Sequence, residues 1–292
     1  MKATHPTGIG FYARTLSEAT HGTPKAMAKR LVDHGASWVA FLACWQDRSG
    51  PGKTFAERTP RRDVHDRYVA ACREAGLDVW LWGFPWIGHE DAYVDALERH
   101  MTPAIRGLLH DPEVSYRDKS KAPPKGSRGQ ADVVEGDADS TTSRAAAGAR
   151  RLIELDRKLV LERGLAPSGI TSYGVAQFHA MPWAELAAGG AWGSPQLYSV
   201  GDELVESGLE GWMARGFSTL LPSVPTYGPN SGAKLDAHLA RFVREGRPTI
   251  DGFAVWSYQQ TGGSEWKTLA RWAEMLAAKA CPDLPRGGAD LR

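Results

Sequence analysis

The sequence has little excess of charge of either sign. Its 292 residues include 35 Lys or Arg and 34 Asp or Glu, so the formal net charge is +1 with neutral histidines. Proteins that bind nucleic acids usually carry a clear basic excess or a basic stripe. Only short basic pairs occur here, such as Arg61-Arg62 and Arg150-Arg151, and we interpret them as solvated surface charge. We therefore expect no nucleic-acid partner.

Cysteine is also scarce. The three cysteines, Cys44, Cys72 and Cys281, lie far apart and form no C-x-x-C pair and no Cys/His cluster. Disulfide frameworks and zinc sites depend on such spacing. We expect neither of them, and no residue pattern in the sequence indicates a metal or an organic cofactor.

Long apolar runs are missing as well. A membrane-spanning helix needs about 18 or more consecutive apolar residues, and a secretory signal needs an apolar core near the N-terminus. The sequence has neither. We expect no membrane partner, and synthesis in the cytoplasm without a signal peptide. Action on a cell wall would then depend on delivery by phage lysis, by a virion or by an injection machinery.

The apolar residues that are present follow a regular order. Short apolar runs, typical of buried parallel strands, alternate with longer segments of helical periodicity. This order predicts repeated β–α units. The eight predicted strands lie at residues 9–13, 38–43, 78–83, 106–110, 169–172, 193–198, 219–223 and 252–258.

Eight such units predict an α/β protein with a single (β/α)8 barrel, a TIM barrel, over residues 1–282. The alternative is an open doubly wound sheet, which usually has fewer units and a glycine-rich turn after the first strand. Here Gly8-Ile9-Gly10 gives only part of that turn and precedes the strand. The polar segment 117–143 is predicted to be a long loop after the fourth strand, either functional or a disordered insertion. Residues 283–292 are predicted to be a flexible tail.

The active site of such a barrel lies at the C-terminal ends of its strands. Those ends carry aromatic, amide and carboxylate side chains, with no clustered histidines and no lysine within an apolar strand. Several of the eleven tryptophans are among them, and an indole face matches the apolar face of a sugar ring. About half of the tryptophans should instead fill the core. The candidate substrate-binding residues are Tyr12, Trp45, Asp47, Trp82, Gln196, Tyr227, Trp256 and Tyr258.

The strongest single signal is the tripeptide Asp111-Pro112-Glu113 after the fourth strand. Residues i and i+2 of an extended backbone point to the same side, so both carboxylates should face the barrel mouth. Two close carboxylates repel each other, and the pKa of one of them rises, which keeps that group protonated as an acid. The same tripeptide is also common in turns and at helix starts, so spacing alone leaves both interpretations open.

Four segments occur in an order seen in a known family. They are LLHDPE at 108–113, GITSY at 169–173, WGSPQLY at 192–198 and VWSYQ at 255–259. The set resembles, in turn, the fourth-strand D-x-E, the fifth-strand G-x-Y-[ST], the sixth-strand W-x-A-x-Y and the final W-Q-Y of family 25 glycoside hydrolases, the lysozyme-like muramidases. Family 18, the chitinases, is a more distant resemblance, and its full D-x-x-D-x-D-x-E motif is absent. Family 25 members also carry an Asp at the end of the first strand, where this sequence has Tyr12-Ala13.

The resemblance implies a glycoside hydrolase of the muramidase or endolysin type, which cleaves a glycosidic bond next to an N-acetylated sugar. The polysaccharide would be peptidoglycan or chitin-like. Glu113 would act as the general acid, and Asp111 would orient the 2-acetamido group or stabilise developing positive charge. Tyr198 would hydrogen-bond near the acetamido carbonyl, and Trp45, Trp82 and Trp256 would be sugar platforms.

The missing first-strand carboxylate keeps an alternative open. The chain could be a catalytically inactive, hydrolase-like barrel that binds carbohydrate or serves as a phage or virion structural protein. Another barrel enzyme, such as an isomerase or aldolase, would show a metal cluster or a Schiff-base lysine at a strand end, and neither is visible.

Overall fold

The computed structural model describes residues 5–14, 16–46, 61–113, 115–117, 143–198, 202–228, 231–244 and 252–280. Within them, parallel strands close into one barrel in chain order from β1 to β8, which confirms the predicted (β/α)8 barrel. The strands are β1 Gly8–Ala13, β2 Ala36–Trp45, β3 Asp78–Phe84, β4 Ile105–His110, β5 Gly169–Tyr173, β6 Trp192–Gln196, β7 Ser223–Pro225 and β8 Gly252–Trp256.

The helices alternate with the strands, as the predicted β–α units require, with one addition. The short helix α1 lies between β1 and α2 and has only four residues, too few to show a helical period. The described helices are α1 Glu18–His21, α2 Pro24–Asp33, α3 Arg62–Glu74, α4 Glu90–Arg99, α5 Ser143–Arg163, α6 Trp183–Gly189, α7 Asp202–Ala214, α8 Ala233–Arg244 and α9 Gly263–Ala280.

Helix α2 shows how local sequence sets these boundaries. Thr23 caps the first turn, where its hydroxyl accepts a hydrogen bond from the Ala26 backbone N–H, and Pro24 begins the helix. Proline suits this position because the N–H it lacks would have no partner within the helix. Gly35 follows the helix with a φ of 77°, a conformation that glycine adopts at low cost. Local residues therefore determine where α2 begins and where it ends.

The core has two layers. The larger layer lies between the strands and the helices. The smaller one fills the barrel and is rich in indoles. Glycines on neighbouring strands leave room for these indoles, because a Cβ at those positions would collide with the rings. The pairs are Gly10 beside Trp38, Gly107 beside Trp80 and Gly169 beside Trp192.

The seventh strand differs from its prediction. It was expected at residues 219–223 but spans Ser223–Pro225 and pairs with β8. The segment before it forms a bridge to β6 at Leu220, and the Leu221 N–H donates to the Gly193 carbonyl at 2.8 Å. Pro222 lacks an N–H and interrupts this ladder, which resumes where Ser223 pairs with Gln196. The continuous strand therefore begins after the proline.

Two predicted features lie mostly or wholly outside the described residues: the loop 117–143, of which only Arg117 and Ser143 are described, and the tail 283–292. In the described part of the chain, no helix is long and apolar enough to cross a membrane. The same residues contain no group of three or more His, Cys, Asp or Glu side chains placed to hold a metal ion.

Candidate active site

Two carboxyl groups lie where β4 ends at the barrel mouth. Two hydrogen bonds position the backbone that follows the strand. The Asp111 N–H donates to the Gly83 carbonyl of β3 at 2.9 Å, and the Ser172 hydroxyl of β5 donates to the Pro112 carbonyl at 2.6 Å. The side chains of Asp111 and Glu113 therefore project to the same side and hydrogen-bond to each other.

An amide from β6 joins the two carboxyl groups. Gln196 Nε2 donates to Asp111 Oδ1 at 2.8 Å, and the same side chain hydrogen-bonds to Glu113. Gln196 Nε2 also lies 3.5 Å from Thr171 Oγ1. Strands β4, β5 and β6 thus supply one hydrogen-bonded cluster, although their residues are far apart in sequence.

Burial changes the acidity of the carboxyl pair. It raises the pKa of Asp111 well above the ordinary range, and the Glu113 charge and the hydrogen bond to Glu113 raise it further. Burial also raises the pKa of Glu113, an effect opposed by the hydrogen bonds from Gln196 and Asp111. The pair consequently retains a proton that two exposed carboxyl groups would release. A retained proton at a cleft surface is what general-acid catalysis requires.

Aromatic rings form the floor beneath this pair. Tyr12 and Trp82 are fully buried and meet edge to face, with ring centres 5.6 Å apart. Burial raises the pKa of Tyr12 to about 12, so its hydroxyl stays neutral. That hydroxyl donates to Ser194 Oγ at 3.3 Å. These two predicted substrate-binding residues support the cleft from inside the barrel, and their faces are not available to a sugar.

Other predicted residues have exposed faces at the mouth. Trp256 and Trp45 are partly exposed. Both contact the buried ring of Trp82: the ring centre of Trp256 lies 5.2 Å from it and that of Trp45 lies 6.1 Å from it. Tyr198 stacks on Trp256 at 6.0 Å, and the ring of Tyr227 lies 6.4 Å from that of Tyr198. Burial raises the pKa of Tyr198 well above the ordinary range, so its hydroxyl can only be a neutral hydrogen-bonding group.

One predicted substrate-binding residue, Tyr258, does not join this group. Tyr258 lies in a short 3-10 turn after β8 and packs on the outer side of the barrel, against Phe11 and Trp266. The structure therefore does not place Tyr258 with the other candidate residues at the mouth, because a turn follows the end of β8 at Trp256. Asp47 lies outside the described residues.

Two arginines that are not among the predicted site residues also lie at the mouth. The Arg14 guanidinium carbon lies 5.6 Å from the ring centres of both Trp45 and Trp256. Arg117 lies 5.7 Å from the ring centre of Tyr173. Arg14 directly follows β1, so its position at a strand end was an available signal. The neighbours of Arg117 come from a different part of the chain, and no local pattern indicates them.

No family model matches the chain, and no curated protein matches its sequence at a significant level. Solved structures do match its fold. An endo-β-N-acetylglucosaminidase from Cordyceps militaris is 12% identical with a TM-score of 0.58, over 92% of this chain and 90% of that chain. A group IV chitinase from Ostrinia furnacalis is 11% identical with a TM-score of 0.57, over 94% of this chain and 100% of that chain.

A xylanase and α-amylase inhibitor protein from Scadoxus multiflorus is as similar, at 8% identity and a TM-score of 0.58 over 94% of this chain and 99% of that chain. The chain therefore shares its barrel with glycoside hydrolases and with an inhibitor protein. At such identities the similarity shows the fold alone. Any statement about activity must therefore be argued from the residues of the site.

Proposed function

We propose that this protein hydrolyses a glycosidic bond next to an N-acetylated sugar, in a chitin-like polymer or in peptidoglycan. The observation that carries the proposal is the buried, hydrogen-bonded pair Asp111 and Glu113 at the C-terminal end of β4. The fold shared with a chitinase and an endo-β-N-acetylglucosaminidase supports it.

The first step is protonation of the leaving oxygen. A glycosidic oxygen leaves poorly until it is protonated. Glu113 is partly exposed while Asp111 is almost fully buried, so Glu113 is the more accessible acid. The proton moves from Glu113 to the glycosidic oxygen as the C1–O bond breaks, which leaves Glu113 ionised and able to act as a base in the second step.

The spacing of the pair argues for a nucleophile from the substrate. Inverting enzymes hold their two carboxyl groups about 6.5–9.5 Å apart, and retaining enzymes with an enzyme nucleophile about 5–5.5 Å apart. Asp111 and Glu113 are in direct hydrogen-bond contact, which leaves no room for a sugar carbon or a water between them. The acetamido oxygen of the substrate can instead attack C1, and a water activated by Glu113 then releases the product.

The remaining cleft residues fit this scheme. Asp111 would accept the acetamido N–H and stabilise its developing positive charge. The neutral hydroxyl of Tyr198 would bind the acetamido carbonyl oxygen. The partly exposed indoles of Trp45 and Trp256 would contact sugar rings through the surface that Phe84, Tyr198 and Arg14 leave open. This scheme requires an N-acetyl group and predicts a product that retains its anomeric configuration.

A second candidate is an inactive barrel that binds carbohydrate. The absence of a carboxylate at the end of β1, where family 25 has one, favours it. So does the fold shared with an inhibitor protein. In that case Glu113 would affect affinity only.

The test is incubation of the wild type and Glu113→Gln with chitin oligomers, isolated peptidoglycan and a fully deacetylated glucosamine oligomer. Products would be read by mass spectrometry. We expect fragments with new reducing ends from acetylated substrates and the wild type only. Binding without fragments in every case would overturn the enzyme and support the inactive barrel, whereas cleavage of the deacetylated oligomer would exclude the acetamido nucleophile.

A further inference from the structure

Arg14 sits on one side of the cleft. Its partly exposed guanidinium group lies against both Trp45 and Trp256, and such contacts stabilise a cation at an aromatic surface. It also acts on Tyr227: burial raises the pKa of that tyrosine, the charge of Arg14 lowers it, and the charge of Glu113 raises it. Arg14 and Glu113 therefore lie within electrostatic range of the same phenol.

Arg117 sits on another side. Its guanidinium group lies over Tyr173, and Arg117 Nη1 is 3.5 Å from His179 Nδ1. Burial and the Arg117 charge lower the pKa of His179 to about 4, so the histidine is neutral and can accept this contact. Arg117 Nε is buried and has no hydrogen-bond partner among the described residues. A buried cationic donor without an acceptor is costly unless a ligand supplies one.

The closed strand order places these arginines apart. Arg14 follows β1, which pairs with β8, whereas Arg117 and its partner Tyr173 belong to the β4–β5 side of the ring. The charge of Glu113 raises the pKa of Tyr173, and the charge of Arg117 lowers it. The carboxyl pair thus has a guanidinium group on either side of it.

We propose that Arg14 and Arg117 determine specificity by binding carboxylates on the substrate, so that the cleft prefers an N-acetylated glycan with acidic substituents over a neutral one. The inference rests on the proposed function, since the same cleft would position the scissile bond. A guanidinium group suits this task because its planar N–H groups match a carboxylate.

The test compares two ligands that differ only in charge. The first is a peptide-free strand of alternating N-acetylglucosamine and N-acetylmuramic acid with free lactyl carboxylates. The second is the same strand with those carboxylates converted to primary amides. Calorimetry on the Glu113→Gln protein would measure binding of each strand without turnover. Loss of a charged hydrogen bond corresponds to about a 10-fold change or more, so we expect the acidic strand to bind at least about 10-fold more tightly.

Substitutions assign that preference to the arginines. Adding Arg14→Gln and Arg117→Gln should bring the ratio of the two affinities close to one, while lysine at both positions should retain part of it. Arg150→Gln is the matched control, because Arg150 pairs with Glu185 on the outer helices. Thermal unfolding of each variant would check that it folds, since Arg14 packs on two indoles.

The outcomes separate this inference from the proposed function. Equal affinity for both strands, an unchanged ratio after both substitutions, or no binding of either strand would overturn the inference. If the wild type cleaves chitin oligomers in any of these cases, the proposed function stands. If the charge preference holds but the wild type cleaves nothing, the proposed function fails and the anion-binding cleft stands.

Discussion

The two faces of β4 carry buried networks that begin at neighbouring residues, His110 and Asp111, and the contrast between them is informative. His110 points outward to the helices. Its Nδ1 lies 3.0 Å from the Tyr93 hydroxyl and its Nε2 lies 2.8 Å from Asp156 Oδ1. The Ser168 hydroxyl donates to the same carboxylate at 2.6 Å. This network has a partner for each ring nitrogen.

Asp111 points inward to a very different set of neighbours. It faces a second carboxyl group, and a single amide, that of Gln196, donates to both. Like charges placed together in a buried site raise the free energy of the fully ionised state. The outer network of His110 and Asp156 is the arrangement expected if only stability mattered. The inner pair of Asp111 and Glu113 is expected where a reaction requires a carboxyl group that keeps its proton.

Replacement of the acid should have the largest effect. Glu113→Gln keeps the shape of the side chain but removes the transferable proton, so kcat/KM should fall by about 10²–10⁴-fold. Hydrolysis of a chitin oligomer or of peptidoglycan would be measured alongside chemical denaturation. Unchanged or increased stability is expected, because a neutral amide replaces one of two ionisable carboxyl groups in a buried site. A variant of normal activity would exclude Glu113 as the acid.

Opening the outer network should instead destabilise the protein. Asp156→Ala leaves His110 Nε2 and the Ser168 hydroxyl buried without their acceptor, which should lower the free energy of unfolding by roughly 2–4 kcal/mol. Denaturant unfolding measures this loss. At a temperature where the variant is folded, its kcat should remain close to that of the wild type. A large loss of kcat with normal stability would show that the two faces of β4 are coupled.

The inner aspartate should affect activity and stability in opposite directions. Asp111→Asn removes the shared proton and the charge near the acetamido group, and we expect about a 10–100-fold loss of kcat/KM. Because the pKa of Asp111 is raised in the folded state, its contribution to stability is complete below the pKa of an unfolded aspartate, about 4, and is lost as pH rises. Asparagine does not titrate.

The difference in melting temperature between Asp111→Asn and the wild type should therefore increase from pH 4 to pH 9, with the variant more stable at the high end. Thermal unfolding across this range is the measurement. A variant whose relative stability falls with pH would mean that the Asp111 charge is stabilised in the folded protein, contrary to its surroundings.

The smallest effect should come from Tyr198→Phe. This change keeps the ring that stacks on Trp256 and removes only the hydroxyl. Loss of one neutral hydrogen bond corresponds to roughly a 3–10-fold lower kcat/KM, with little change in stability. Trp183→Phe, in the outer core, is a suitable contrast, because it should lower stability and leave kcat/KM of the folded protein unchanged.

The sequence was sufficient for the fold because periodicity is a local property. The alternation of apolar runs and helical segments predicted the closed barrel, and the two-residue period predicted that Asp111 and Glu113 share a side. The depth at which each side chain is buried was not predictable from the sequence. Trp82 and Trp45 both lie near strand ends, yet one is fully buried and the other partly exposed, since depth depends on how strands are staggered around the barrel.

Contacts between distant segments were also beyond local patterns. β7 begins later than predicted because Pro222, which has no N–H, interrupts the pairing with β6. Gln196 was expected to bind substrate, and the structure places it between two carboxyl groups of another strand. Arg117 reaches Tyr173 and His179, which are more than fifty residues away in the sequence. Such neighbours become visible only when the barrel closes.

The anomeric configuration of the first product, followed by NMR during hydrolysis of a chitin oligomer, would distinguish attack by the acetamido oxygen from direct attack by water. We expect the β anomer, formed before mutarotation, because a carboxyl pair in direct contact leaves the attack on C1 to the acetamido oxygen. An initial α anomer from the wild type would contradict it, since water would then have attacked C1 directly and Asp111 and Glu113 could not be the acting pair.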